Sequence, residues 1–298
     1  MSKTKIITRI HGGIGNQIFC YAAARRLAKI NNAELVIDDV NGFVRDYDYS
    51  RTYQLDHFNI PCRKATKQER LEPFSRMRYR IMRAINSRRP FEGRSYIQQE
   101  GVDFDKRLLM VRPQGTMYLD GYWQSERYFK DVEHIIRSDL KFVPPNDAIN
   151  LDIASRINIS QAVAVHVRWF DAPCKVGTHN VSNNYYQSAI NLIESSLKEP
   201  RYYLFSDQPD AALNKLDLPK DRVFCISHNK SEGNDYADLW LMSQCKHFIT
   251  ANSTFSWWGA WLGEKDGSMV ITPNIEQESF EKTNWGFDGL IPDRWLVI

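Results

Sequence analysis

The chain has no run approaching the roughly 20 consecutive apolar residues that a membrane span needs. Its opening, Met-Ser-Lys-Thr-Lys and then Ile6-Ile7-Thr8-Arg9-Ile10, is too short for a signal peptide and has no cleavage region after it. The expected compartment is the cytoplasm, with any membrane contact peripheral, at the inner face of the cytoplasmic membrane. The five cysteines, Cys20, Cys62, Cys174, Cys225 and Cys245, are odd in number and form no Cys-x-x-Cys pair. Neither a zinc knuckle nor a disulfide framework is indicated, and the thiols read as buried and reduced. The seven histidines show no ligand-type spacing such as His-x-x-x-His. A net charge of only +3 over 298 residues gives no general attraction to nucleic acid. Repeats and low-complexity tracts are absent.

What is present is ordinary globular composition, 43% hydrophobic and 25% charged, enough to bury a core. The length suits two domains of roughly 150 residues each. A β-branched run over 5–10 reads as a buried strand, Gly12-Gly13-Ile14-Gly15 as a turn, and Asn16 to Ile30 as a helix by its apolar spacing. Leu35-Val36-Ile37 is a second strand closing at Asp38-Asp39. This is a doubly wound α/β unit. Pro144-Pro145-Asn146-Asp147 reads as a linker. Beyond it, strands over 162–167, 202–205, 223–226, 248–250 and 269–272 alternate with helices over 185–197, 236–245 and 253–262. That alternation predicts a second parallel sheet covered by helices. The expected organisation is a first lobe over 1–145 on the acceptor side, a nucleotide-sugar lobe over 146–275, and a tail over 276–298 that packs back on the first lobe.

One segment departs from the average. Residues 63–94 hold eleven Lys or Arg against three Glu, with Met77, Ile81 and Ile85 four apart. The pattern predicts an amphipathic helix with a basic face. Such a helix is either solvated, or drawn to an anionic membrane or a lipid-diphosphate acceptor. No aromatic-basic stacking motif accompanies the charge, which argues against a nucleic-acid partner.

In open parallel sheets ligands bind beyond the carboxyl ends of the strands, and four such places carry polar residues. At Gly12-Gly13-Ile14-Gly15-Asn16-Gln17, glycine allows close approach of a ligand and the helix offers N–H groups to an anion. A dinucleotide fingerprint wants a further glycine where Ile18 stands, yet Asp38 closes the second strand, so a nicotinamide-dependent oxidoreductase stays open. At His166-Val167-Arg168 with Asp171, a guanidinium at the sheet rim holds a pyrophosphate, or else pairs with Asp171. Ser206-Asp207 ends a strand, where a carboxylate binds ribose or base, or caps the helix from Pro209. Asn252-Ser253-Thr254-Phe255-Ser256 opens a helix with hydroxyls and amides suited either to a phosphate or to capping. Trp257, Trp258 and Trp261 read as core rather than sugar platform. Two Asp-x-Asp triplets, Asp46-Tyr47-Asp48 and Asp103-Phe104-Asp105, are as frequent as chance supplies, so no metal and no other cofactor is expected.

These segments together resemble the bacterial α-1,2-fucosyltransferases of glycosyltransferase family 11. Gly12 to Ala22 is similar to the family's opening motif, and His166-Val167-Arg168-Trp169-Phe170-Asp171 to its His-x-Arg-Arg-x-Asp motif. Phe205-Ser206-Asp207 follows in order. Asp238 to Ser243 and Ala251 to Leu262 resemble its C-terminal signature, so the matches run from residue 12 to 262. The resemblance implies a GT-B architecture, two Rossmann-like lobes with a donor cleft between them. It implies inverting, metal-independent transfer from GDP-fucose to the 2-hydroxyl of a terminal β-galactoside, plausibly lipid-linked. It also implies that Arg168 holds the diphosphate, that Asn16 faces the reacting centre with His166 and Asp171 among the catalytic groups, and that Gly13, Gly15, Gln17, Ser206, Asp207, Asn252, Ser253, Thr254 and Ser256 serve the donor. His11 and Asp171 are the candidate bases by position. Trp169 stands where the family has a second Arg, which leaves another nucleotide-sugar open as donor and makes nearby Lys175 a compensating cation.

Overall fold

The computed structural model describes residues 4–47, 49–171, 179–230, 233–274 and 285–298. The chain divides into two compact units, Met1–Val143 with Phe287–Leu290, and Pro144–Gly286 with Ile291–Ile298. The break falls at the Pro144-Pro145 pair. The last segment is shared: Phe287–Leu290 completes unit 1, while Ile291–Ile298 belongs to unit 2. Of the expected tail over 276–298, Phe287–Leu290 groups with the first lobe, and most of 276–286 lies outside the described residues.

Unit 1 contains β1 (Lys5–Arg9), α1 (Ile14–Ile30), β2 (Glu34–Asp38), β3 (Arg63–Lys64), α2 (Ser75–Asn86), β4 (Tyr96–Gln98), α3 (Arg107–Met110), β5 (Thr116–Asp120) and α4 (Glu133–Asp139). Its sheet runs β3-β2-β1-β5-β4 with every pair parallel. Strand order reverses at β1, so the loops after β1 and β5 meet at a topological switch point. Unit 2 contains α5 (Ala148–Asn158), β6 (Ala162–Val167), α6 (Asn183–Ser196), β7 (Arg201–Ser206), α7 (Pro209–Lys215), β8 (Val223–Ile226), α8 (Asp235–Gln244), β9 (His247–Ile249), α9 (Thr254–Gly263), β10 (Val270–Thr272) and β11 (Leu296–Val297). Its sheet runs β11-β10-β9-β6-β7-β8, again all parallel. Here the switch point lies at β6 between β9 and β7.

The strands read as they do because both faces of a parallel sheet are covered. All six residues of β6 are buried. On α9, Trp257, Trp258 and Trp261 are fully buried, with Trp257 and Trp258 edge-on at 4.9 Å and Trp258 and Trp261 edge-on at 5.1 Å. Such aromatic pairs add about 0.5–1.5 kcal/mol each beyond burial, and rings so enclosed are unavailable as a sugar platform. The basic segment does form a helix, but its four-apart apolar stripe points away from the core. Met77, Ile81 and Ile85 are 55%, 50% and 50% exposed. Tyr79 and Met82 make the contact with buried Ile7, Val36, Tyr96 and Tyr118 instead.

On α8, Asp238 is partly buried and accepts a hydrogen bond from Asn229 Nδ2 at 2.8 Å. Burial pushes its carboxyl up to about 7, against the Asn229 bond that lowers it. Because the folded value lies above the ordinary 3.8, the native state binds the extra proton between these pH values. Stability from this group is full below about pH 4 and is lost as pH rises through about 7. Asp238→Asn should therefore gain on the parent chain as pH rises, with the melting-temperature difference larger at about pH 8 than at about pH 5. A difference independent of pH would show that Asp238 titrates normally.

Candidate functional site

The switch point of unit 2 gathers most of the sequence-predicted site. Side chains alternate along β6 and its exit. Val163, Val165, Val167 and Trp169 enter one core together, which leaves His166 and Arg168 on the opposite face. Arg168 is 33% exposed at its side chain, and its Nη1 lies 3.1 Å from Asp207 Oδ2 at the end of β7. The other Asp207 oxygen accepts the Trp169 backbone N–H at 3.2 Å. Asp207 thus fixes both the guanidinium and the loop carrying it. The alternative in which Arg168 pairs with Asp171 is not the one formed: Arg168 pairs with Asp207, and Asp171 Oδ2 accepts the His179 backbone N–H at 3.0 Å and lies 3.3 Å from its ring. Asp171 anchors the returning loop.

From β9 comes the second wall. Asn252 Nδ2 donates to the His179 carbonyl at 2.9 Å, while its buried Oδ1 has no partner. Ser253 caps α9, its hydroxyl accepting from the Phe255 N–H at 3.3 Å, and Thr254 opens the helix. A helix start offers unpaired N–H groups and a positive dipole end to an anion. Ser256 does not take part: it is buried, and its hydroxyl accepts the Ala251 N–H and faces the Ala251 and Ser253 carbonyls. Its role is to shape the loop. Ser206 likewise accepts from the Gln208 N–H. His166 is buried against the Phe255 ring at 5.4 Å with Nδ1 unpartnered, and burial with Arg168 nearby pushes it down to about 3. It is neutral at ordinary pH and reads as a rigid support for Arg168.

Trp169, at the family's second Arg position, is buried and belongs to the core face. Lys215 Nζ sits 4.7 Å from its ring centroid. Lys175 lies outside the described residues.

The first glycine turn belongs to unit 1, apart from this set. Gly12 has φ +77°, and a Cβ there would meet Asn16 Nδ2 at 2.9 Å and the Tyr122 hydroxyl at 3.0 Å. Gly13 is in ordinary extended geometry at the start of α1, and Gly15 lies buried within it. Asn16 Oδ1 accepts from Gln124 Nε2 at 2.7 Å. Gln17 is held by the fold on all sides. It is fully buried, donates to the Gly12 and Thr52 carbonyls, and accepts from the Gln54 N–H.

Sequence reasoning named His11 at this switch point but missed Asp120. His11 stacks on Tyr122 at 4.3 Å with Nε2 unpartnered, and burial with Arg9 alongside pushes it down to about 4. Asp120 ends β5, taking Arg9 Nη2 at 2.7 Å and the Tyr96 hydroxyl at 2.7 Å. The available signal was Thr116-Met117-Tyr118-Leu119-Asp120-Gly121, an apolar run closed by Asp-Gly. Of the Asp-x-Asp triplets, Asp103 accepts the Asp288 N–H at 3.0 Å and Asp105 pairs with Arg107 at 2.7 Å, while Asp48 lies outside the described residues. Among the described residues no three His, Cys, Asp or Glu come together as a metal site.

The family model described as Glycosyl transferase family 11 matches residues 5–288. The chain is 30% identical over 307 aligned positions to the Escherichia coli alpha-1,2-colitosyltransferase, covering 98% of each. It is 30% identical over 293 positions to the Escherichia coli O-antigen biosynthesis glycosyltransferase WbnK, covering 89% of this chain and 92% of that one. Among solved structures it resembles Arabidopsis thaliana FUT1 in complex with GDP, with a TM-score of 0.54, 13% identity and coverage of 91% and 70%. NodZ alpha-1,6-fucosyltransferase soaked with GDP-fucose gives a TM-score of 0.50, 16% identity and coverage of 88% and 93%. At those identities the likeness concerns the fold, which is of the GT-B type with two Rossmann-like lobes.

Gly12→Ala should destabilise the chain by about 1–2 kcal/mol, the cost of holding a Cβ in left-handed backbone. Gly13→Ala should be tolerated, because its φ of −69° suits alanine and the nearest atom to its Cβ is Arg51 Nε at 3.9 Å. Denaturant midpoints of the two variants check this, and equal losses would contradict the assignment of the strained position.

Proposed function

The chain belongs to glycosyl transferase family 11, and on that footing we propose that it moves fucose from GDP-fucose to the 2-hydroxyl of a terminal β-galactoside in a surface glycan. The observation that carries the reading is Arg168, partly exposed at the switch point of unit 2, held by Asp207 and grouped with the start of α9. A guanidinium and a helix N-terminus are the two devices that best stabilise a diphosphate. The linkage is supported by the relative named alpha-1,2-colitosyltransferase, the surface glycan by the one named for O-antigen biosynthesis, and the donor by the fold shared with NodZ.

In this reading the acceptor oxygen attacks the anomeric carbon opposite the departing GDP. The new carbon–oxygen bond forms as the bond to the phosphate oxygen breaks, with inversion. Charge grows on the diphosphate, so the fixed Arg168 lowers the barrier most. A strong base is not needed. His11, held near 4, is a weak one, and the Asp171 carboxylate is already engaged by His179. The acceptor proton leaves late, to water or a phosphate oxygen, once positive character has developed at the sugar. In this reading the transfer needs no divalent metal.

A second reading of the donor rests on the colitosyltransferase relative. Colitose is fucose without its 3-hydroxyl. A site that hydrogen-bonds that hydroxyl rejects the deoxy sugar strongly, and an apolar site does not reject it.

Two measurements test these statements. In EDTA, GDP-fucose at about 100 times its dissociation constant should stabilise the chain by roughly 2.7 kcal/mol in thermal melting, with no such shift from UDP-galactose or NADH. GDP-colitose shifting it more than GDP-fucose would transfer the donor assignment to colitose. Separately, Arg168→Ala should lower turnover by at least about 100-fold with an unchanged melting temperature. A folded variant that keeps its turnover would remove Arg168 from the mechanism.

A further inference from the structure

A concavity in unit 1 opens at the switch point of its own sheet and has a volume of about 570 Å³. Six arginines line it: Arg9, Arg45, Arg51, Arg76, Arg80 and Arg83. Only two carboxylates face them, Asp46 and Asp120, so six cations less two anions leave a formal charge of +4. Only Arg9 is neutralised directly, through Asp120 at 2.7 Å. Arg51 lies over the Tyr49 ring at 3.9 Å. Arg76, Arg80 and Arg83 stand on one face of α2 at positions i, i+4 and i+7, and they and Arg45 have no ion-pair partner among the described residues. Like charges at i, i+4 and i+7 repel one another along a helix, so this arrangement is unfavourable unless an anion occupies it. A second, independent observation points the same way. Three buried polar atoms on cavity-lining residues lack hydrogen-bond partners: Arg9 Nε, His11 Nε2 and Gln98 Oε1.

We propose that this cavity is a subsite for a diphosphate carried by the acceptor, so that the preferred acceptor is an anionic glycosyl diphosphate rather than a neutral glycan. Planar guanidinium forks match phosphate oxygens bidentately, and several of them converging on a concave surface select a multiply charged group over a single carboxylate. The volume exceeds what a phosphate alone fills and leaves room for adjoining sugar. The nucleotide donor also carries a diphosphate, but its arginine, Arg168, belongs to the other unit. The inference deepens the transferase reading given above and rests on it for the word acceptor, but not for the binding of the anion.

The test therefore begins with binding. Inorganic pyrophosphate is titrated calorimetrically into the whole chain saturated with GDP, which occupies the donor site. Binding is expected, weakening steeply with salt, and Arg76→Gln with Arg80→Gln and Arg83→Gln should weaken it at least tenfold without lowering the melting temperature. Arg88→Gln, on the same segment but outside the cavity lining, should leave the affinity unchanged. In the transfer assay, a galactose-terminated glycosyl diphosphate with a short alkyl chain should show a KM at least tenfold below that of the matching neutral glycoside, and the triple variant should erase that difference. No pyrophosphate binding under GDP, or binding indifferent to the three substitutions, overturns the subsite whether or not transfer is observed. Equal preference for a neutral acceptor and one bearing a carboxylate sugar or a diphosphate overturns the ligand class. Association with phosphatidylglycerol vesicles that survives the triple substitution, with no pyrophosphate site, would mean that α2 serves a membrane surface and overturns the proposal. Absence of all transfer alongside intact pyrophosphate binding would count against the transferase reading only.

Discussion

The site in unit 2 depends on one strand. β6 is buried along its whole length and hydrogen-bonded in parallel register to β9 on one side and β7 on the other. Because all three strands run the same way, their carboxyl ends finish along one edge. The loops that follow, carrying Arg168, Asp207 and Asn252–Thr254, cannot avoid one another. Alternation then decides which residue serves which face: a one-residue slip would carry Arg168 into the core and bring Trp169 out. The Asp207 carboxylate locks the register in place by bonding to both the guanidinium and the loop backbone.

This helps explain how the substitution of Trp for the family's second Arg fits the fold. Position 169 looks into the core, among Val165, Val167 and Tyr186, so an aromatic ring there adds packing without changing the face on which Arg168 stands. A cation on that side is Lys215, above the Trp169 ring. The electrostatics of the Arg168 face are set by Arg168, Asp207 and the helix dipole of α9.

Much of this was legible in the sequence, because the strands and their terminal polar residues follow from hydrophobic runs and turn chemistry. What could not be read was which of two roles a residue type plays. Gln17 and Ser256 stand in the same motifs as Asn16 and Ser253, and serine caps a loop with the same hydroxyl it offers to a phosphate. Only burial separates them. The unit 1 cavity was hidden for a different reason. Arginines on a helix resemble a solvated face until the helix is known to lie beside the ends of β1 and β5, and the apolar spacing of Met77, Ile81 and Ile85 pointed to the wrong face as the buried one. Tyr79 and Met82 gave too weak a period to reveal the true one.

The division of the last segment between the units bears on the order in which the protein is made. The Asp288 carbonyl accepts the Phe104 N–H and the Asp288 N–H donates to the Asp103 carboxylate, Leu290 is fully buried, and the space that a Cβ on Gly289 would need is filled by Phe104. Yet these residues leave the ribosome after nearly all of unit 2. Unit 1, although its own strands emerge first, lacks a piece of its packing until synthesis is almost over. Neither lobe is therefore complete until the segment from Phe287 onward has emerged, and a chain cut anywhere before Phe287 leaves both lobes incomplete rather than one.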